Sequence, residues 1–365
     1  MPALAPLVVF ADALVLRRLL APGDGSNIFY PLHVLVARIW AAGDVPGWNP
    51  YAFSGSALLA SAQAGAFYPP NLAFLVLTPA LANNVGVVSS FVVAGVGAHL
   101  LTRRLCHDEV GAAVAGLAFA FSGFMFAHIG HQNMIASLAW LPWSLLGYEV
   151  LRRRVTPLRL LGAGGALAMV LVAGHPQMFS IALLALGVYA AVLTLVELRT
   201  TRGRPLGTLV LMVATALALS AIQLLPTLSI LGATDRSVLS YGSATSYSFP
   251  GSHLALLVFP YLFGNAVPAE PFATAYQGQW NLTELAGYPG AAALCLAAAG
   301  LASGRRDRRV VAVAATAVVT LVIALGSLTV VGSWVYDLPV YGQFRGWGRF
   351  VAVVDLAVAV LAGYG

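Results

Sequence analysis

The chain has 365 residues, of which 59% are hydrophobic and only 9% charged, with a mean hydropathy of +0.85. An ordinary soluble domain carries roughly 25% charged residues to clothe its surface, so this composition excludes a soluble globular fold. The net charge of +6 comes from nineteen basic residues, all arginine; they sit in short stretches between apolar segments and read as topology signals, with no nucleic-acid partner implied.

A spanning helix needs about 20 predominantly apolar residues. On that measure the sequence predicts an all-α integral membrane protein with about ten transmembrane helices in one polytopic domain, 1–365. In chain order the expected spans cover residues 3–20, 84–101, 110–127, 134–150, 157–173, 178–196, 206–225, 288–302, 310–325 and 350–365. The stretch from Met1 to Leu20 lacks a basic flank and a small-residue cleavage site, so it reads as a first span and not as a removed signal. The last apolar run stops without a hydrophilic tail, which suggests the front part of a longer protein. Cys106 and Cys295 are too far apart and too different in context for a metal site or a disulfide framework.

The loops alternate in composition. Arg103 and Arg104, then Arg152, Arg153, Arg154 and Arg159, then Arg199, Arg202 and Arg204, then Arg305, Arg306, Arg308 and Arg309 fall in four short loops of one parity. The opposite loops hold Arg38, Arg236, Arg345 and Arg349. By the positive-inside rule the arginine-rich loops and the N-terminus are cytoplasmic. Arg17 and Arg18 are the misfit, explained by snorkelling to headgroups. Two loops, 21–83 and 226–287, are long and extracytoplasmic, and long ordered loops usually carry function.

Within the first long loop, Ile28, Leu32, Leu35, Val36 and Ile39 follow helical spacing, with Pro31 suited to an early helical position. His33 and Arg38 take the polar side, as in a helix lying in the membrane interface. A cluster of chain breakers follows over 43–50, and 253–263 reads as a second interfacial segment.

Acidic residues are scarce, so each is informative. Asp24 follows the first span at the water–lipid boundary, where its carboxylate is placed to accept a proton from an incoming hydroxyl, or simply to close a helix-end turn. Asp44 suits an Asx-turn. Glu284 precedes the eighth span and would bind sugar hydroxyls or a cation, or stay solvated. Asp12 and Asp355 fall inside apolar spans, where charge is expensive and points to transport. Arg345 and Arg349 break the positive-inside pattern; a lipid-linked phosphate would offset them through bidentate guanidinium contacts, as would an ion pair with Asp337 or another outer carboxylate. His128, His131 and His175 sit on short outer turns, with His253 in the second long loop; they lack the partners of a zinc motif and suit hydrogen bonds to sugar or phosphate. No metal site is expected, although a divalent cation remains open as cofactor. The tryptophans cluster near interfaces, as membrane anchors do. Phosphate-cradling glycine loops and the GxSxG elbow are absent from the sequence.

Several motifs in order resemble the bacterial YfhO family of membrane proteins. They are Gly23-Asp24-Gly25, Tyr30-Pro31, Trp48-Asn49-Pro50-Tyr51, the run from Gln63 through Tyr68 to Asn71, Phe121-Ser122-Gly123, Gly130-His131-Gln132-Asn133, Ala139-Trp140-Leu141-Pro142, Gly174-His175-Pro176-Gln177 and Phe344-Arg345 through Arg349-Phe350. That family is similar to GT-C glycosyltransferases, multi-span enzymes that use polyprenyl-phosphate sugars at the outer face of the cytoplasmic membrane. The resemblance implies Asp24 as catalytic base, and a cell-surface polymer or glycolipid as acceptor. Arg345, Arg349, Glu284, His131, His175, Gln63 and Tyr68 are the residues expected to bind substrate. A transporter or flippase of lipid-linked precursors is the competing expectation, and an assembly protein a third.

Overall fold

The structure, a computed structural model, describes residues 1–16, 18–197, 203–234, 239–265 and 274–365. Arg17, Arg199, Arg202 and Arg236, together with parts of the second long loop, lie outside the described residues. The protein is mainly helical, and four helical stretches are long and apolar enough to cross a membrane: Pro79–Cys106, Glu109–Ala127, Gln132–Leu151 and Pro176–Val196. A fifth is the pair Arg204–Leu219 and Ala221–Leu231, if the two count as one span despite their 81° bend.

Proline and capping residues set the helix starts. Thr78, extended, precedes Pro79, and Thr156 accepts a hydrogen bond from the Arg159 amide just ahead of the helix Pro157–Val172. Proline in the first turn costs nothing because its missing N–H would have had no partner. The helix Pro79–Cys106 ends where His107 turns left-handed (φ 60°). Its 28 residues span about 42 Å, more than the ~30 Å of bilayer hydrocarbon, so its ends emerge among headgroups.

The count of about ten full-length spans is not reproduced. Pro157–Val172 and Ala291–Gly304 are apolar helices of 16 and 14 residues, and Arg308–Ala324 has 17. The expected first span is two short helices, Leu4–Val9 and Ala11–Val15, parted at Phe10. The chain beyond them is held by two asparagines of the helix Pro79–Cys106. Asn84 donates to the Ala13 and Arg18 carbonyls (2.8 Å each) and accepts from the Leu20 amide (2.8 Å), while Asn83 donates to the Leu20 carbonyl (3.1 Å). These side chains supply partners for backbone groups left open where the second short helix ends. The last apolar run forms Val351–Ala362, buried on nearly every side against Glu109–Ala120, Ala291–Gly304 and Arg308–Ala324. A helix apolar all round belongs inside a bundle.

The helix expected in the first long loop forms as Tyr30–Ala41, with Leu32, Leu35, Val36 and Ile39 packed on Leu58, Ala64 and Ala66. Arg38 is exposed as expected, but His33 is buried against Phe74, with ring centroids 5.3 Å apart, and does not belong to a polar face. The breaker cluster leads into a small antiparallel hairpin in which Trp48–Asn49 pairs with Ser56–Ala57, a minor departure from an all-α chain. In the second long loop the segment expected at 253–263 is a 3-10 turn, Gly251–Leu257, followed by exposed Phe259, Tyr261 and Leu262.

The loops sort to two ends of the bundle. At one end buried Glu149 accepts from Arg152 (2.7 Å) and from the Tyr189 hydroxyl (2.9 Å) and faces Arg309 (3.6 Å). Glu197 meets Arg152 (3.6 Å) and Arg308 (4.0 Å), and Arg309 donates to the Leu105 carbonyl (3.3 Å). All four arginine-bearing connections therefore meet at one end. The turns after residues 20, 127 and 173 and the segments around 284 and 349 gather at the other.

Candidate functional site

At that second end the chain Pro22-Gly23-Asp24-Gly25 turns into a short π-helical segment, Gly25–Phe29. Asp24 stands at the helix start, yet its carboxylate makes no capping hydrogen bond. It points instead at His131, with Oδ2 and Nε2 3.4 Å apart, and its side chain is 50% exposed. The two turns approach closely because Gly130 has no side chain: a Cβ there would stand 2.5 Å from the Pro22 carbonyl oxygen. Burial lowers the His131 pKa, His128 and Arg349 add to that, and Glu284 and Asp24 oppose it. The imidazole beside Asp24 is therefore neutral near pH 7.

Beyond His131 lies a tighter cluster. Asn281 caps the 3-10 turn Leu282–Leu285 by accepting from the Thr283 amide (3.0 Å), and this turn presents Glu284. Arg349 grips Glu284 bidentately (2.8 and 2.7 Å) and donates to Gln177 Oε1 (2.6 Å). Gln177 in turn donates to the carbonyls of Arg345 (2.9 Å) and Gly346 (3.3 Å). His128, fully buried and stacked on Phe124 at 4.0 Å, donates Nδ1–H to the Phe124 carbonyl (2.9 Å) and sets Nε2 3.9 Å from Glu284. Burial pushes the Glu284 carboxyl up, but His128 and Arg349 more than offset this and hold it well below the usual carboxylate range. A bidentate guanidinium–carboxylate pair of this kind fixes both geometry and charge.

The expected site residues divide as follows. Asp24, His131, Glu284 and Arg349 come together. His175 joins their surroundings: its Nδ1 accepts from the Met178 amide (3.3 Å), and burial followed by Arg349 holds its pKa well below the usual value. Gln63 is exposed on the first loop, where its backbone lies against Gly174; a Cβ on Gly174 would stand 3.2 Å from the Gln63 carbonyl. Tyr68 is elsewhere. It is 2% exposed, accepts from Trp140 Nε1 (3.1 Å), and with His33, Asn83, Gln132 and Asn133 lines an internal cavity of about 20 Å³, room for a single water.

Arg345 and Arg349 also part company. Arg349 is neutralised by Glu284 and not by Asp337. Arg345 is exposed, has no carboxylate within 4.0 Å among the described residues, and lies over the Tyr247 ring at 5.9 Å, with the Trp280 ring tilted against that ring at 4.9 Å. Gln177 was not singled out from the sequence as a site residue; its signal was a polar side chain one position past the proline that opens an apolar helix. His253 belongs to a separate group with Tyr276 (3.0 Å) and Phe263. Asp355 is buried and Asp12 exposed. Among the described residues, no three His, Cys, Asp or Glu side chains are arranged to hold a metal ion.

No family model matches the chain, and no curated protein matches it in sequence. Its fold is similar to that of ArnT from Cupriavidus metallidurans, solved bound to undecaprenyl phosphate, with a TM-score of 0.53 at 14% identity. The match covers 99% of this chain and 58% of ArnT. The chain thus shares the fold of ArnT, carries helices long and apolar enough to cross a membrane, and spans little more than half the length of the protein it matches.

Proposed function

We propose that this chain is a YfhO-like, GT-C-type glycosyltransferase that moves a sugar from a polyprenyl-phosphate donor to a cell-envelope acceptor. It works at the outer face of the bacterial cytoplasmic membrane, with the N-terminus in the cytosol. The observation that carries this reading is Asp24: a half-exposed carboxylate, free of capping duty, set against a neutral imidazole at the end of the bundle opposite the arginine loops. In one displacement Asp24 takes the proton of the acceptor hydroxyl as its oxygen bonds to the anomeric carbon, and the donor's phosphate leaves with the bonding electrons. His131 positions Asp24. Arg345, with no carboxylate within 4.0 Å among the described residues, is the natural contact for the donor phosphate. The likeness to a protein solved with undecaprenyl phosphate supports a lipid-phosphate donor.

The test is transfer of labelled sugar from polyprenyl-phosphate donors by the protein in proteoliposomes, read with mass spectrometry of envelope glycans from cells with and without it. Label moving to an acceptor supports the reading. Donor crossing the bilayer with its sugar–phosphate bond intact supports a flippase instead. Asp24→Asn is expected to lower transfer by about 10²–10⁴-fold, the usual contribution of a general base. Full activity in that variant would remove Asp24 from the mechanism.

A further inference from the structure

The arginine end holds a feature that the proposed transferase reaction does not use. A cleft of about 480 Å³ opens there between the helices Pro79–Cys106 and Leu141–Leu151, lined by Leu100, Arg103, Arg104, His107, Glu109 and Leu146. Leu100, Arg103 and Arg104 share one helix face by their spacing of three and four, and His107 follows at the helix end. Two walls are aliphatic and the rim is cationic. We infer that this cleft binds the headgroup of an anionic phospholipid.

The charge inventory at this end calls for such an anion. Eleven described arginines cluster here against five carboxylates: Asp108, Glu109, Glu149, Glu197 and Asp307. Glu109, the acid in the cleft itself, is already engaged by Arg103 (3.0 Å) and His99 (3.4 Å). Arg104 has no carboxylate within 4.0 Å among the described residues, and its buried Nε has no hydrogen-bond partner. Arg153 stands under the same pressure: burial, then Arg104 and Arg309, pull its pKa down.

A phosphodiester between Arg104 and the Arg103–His107 side answers that excess, since guanidinium groups match phosphate oxygens. Leu100 and Leu146 would take the first segments of the acyl chains, which a free phosphate lacks. The long helix emerges from the hydrocarbon in its last turns, where Arg103 and Arg104 stand at headgroup depth.

The experiment uses the purified chain in nanodiscs of equal parts dioleoylphosphatidylglycerol and dioleoylphosphatidylcholine, with retained lipid counted by native mass spectrometry. Enrichment of phosphatidylglycerol is expected, and Arg104→Gln should lower it about fivefold, the effect of one arginine near an anionic surface. Arg104→Lys, which keeps the charge, should hold most of it, and melting curves check that both variants fold. Equal retention of the two lipids by the unmodified protein overturns the proposal. So does undiminished enrichment in a folded Arg104→Gln variant, or displacement of phosphatidylglycerol by millimolar inorganic phosphate alone.

Discussion

The two ends of the bundle use the same residue types to opposite effect. At the arginine end, Glu149 is wholly buried and each of its oxygens faces a guanidinium, with a tyrosine hydroxyl added. At the other end Glu284 and Arg349 form an equally closed pair, but Asp24 is left half exposed with only a neutral imidazole beside it. A buried carboxylate ringed by fixed guanidinium groups holds elements together and offers no face to a substrate. One that is half exposed beside a single imidazole is open to an incoming group. The contrast separates charges that build the bundle from a charge available for chemistry.

Substitutions break this contrast most sharply at Asp24. Asp24→Asn should remove activity, as given above, while leaving the melting temperature nearly unchanged, because an exposed side chain without a cap is worth within about 0.5 kcal/mol. The reverse holds for Glu149→Ala, which leaves Arg152 and Arg309 facing each other across a buried gap. A loss of about 3–5 kcal/mol is expected for breaking a buried pair, seen as a large drop in melting temperature in detergent. Comparable melting losses at both positions would erase the distinction.

Acidification sharpens the comparison next. Burial lowers the pKa of His33 to about 4 and also lowers those of His131 and His175, so these rings stay neutral in the fold when the unfolded chain protonates near 6.5. The unfolded state then binds more protons, and the stability these residues provide is complete above pH 6.5 and lost as pH falls toward 4. Glu284, held low by Arg349 and His128, adds a loss that begins below its ordinary value of 4.5. The melting temperature should thus fall steadily from pH 7.5 to 4.5, and His33→Asn should flatten part of the slope; a rise on acidification would contradict the assignment. The smallest effect belongs to Tyr189→Phe. It removes one hydrogen bond from Glu149 and leaves its arginines in place, for a cost of about 1–2 kcal/mol in thermal melts.

Much of this was legible in the chain because a bilayer imposes simple rules. Apolar runs had to be helices, and the alternation of arginine sorted their connections into two sets. Those sets do meet at opposite ends, as the Arg152–Glu197–Arg308 and Asp24–His131 contacts show. Asp24 stood out because acids are rare here. The partners of Arg349 were not legible: Glu284 lies 65 residues away and Gln177 lies 172 away, with nothing local to mark either. Nor was the docking of residues 13–20 on Asn83 and Asn84, which lie some 64 residues further along the chain. Tyr68 shares a loop motif with Gln63, but only packing decides that one turns inward to Trp140 and the other outward.

Hydrophobicity and charge, counted along the chain, determined the class of protein, the helical stretches and which connections belong together. Those properties follow from the free energy of moving each segment from water into lipid, which depends on local composition. The tertiary structure alone decided which carboxylate meets which guanidinium, and so which acid is left free. Pairing depends on distances of a few ångströms between residues remote in sequence, and no periodicity along the chain encodes those distances.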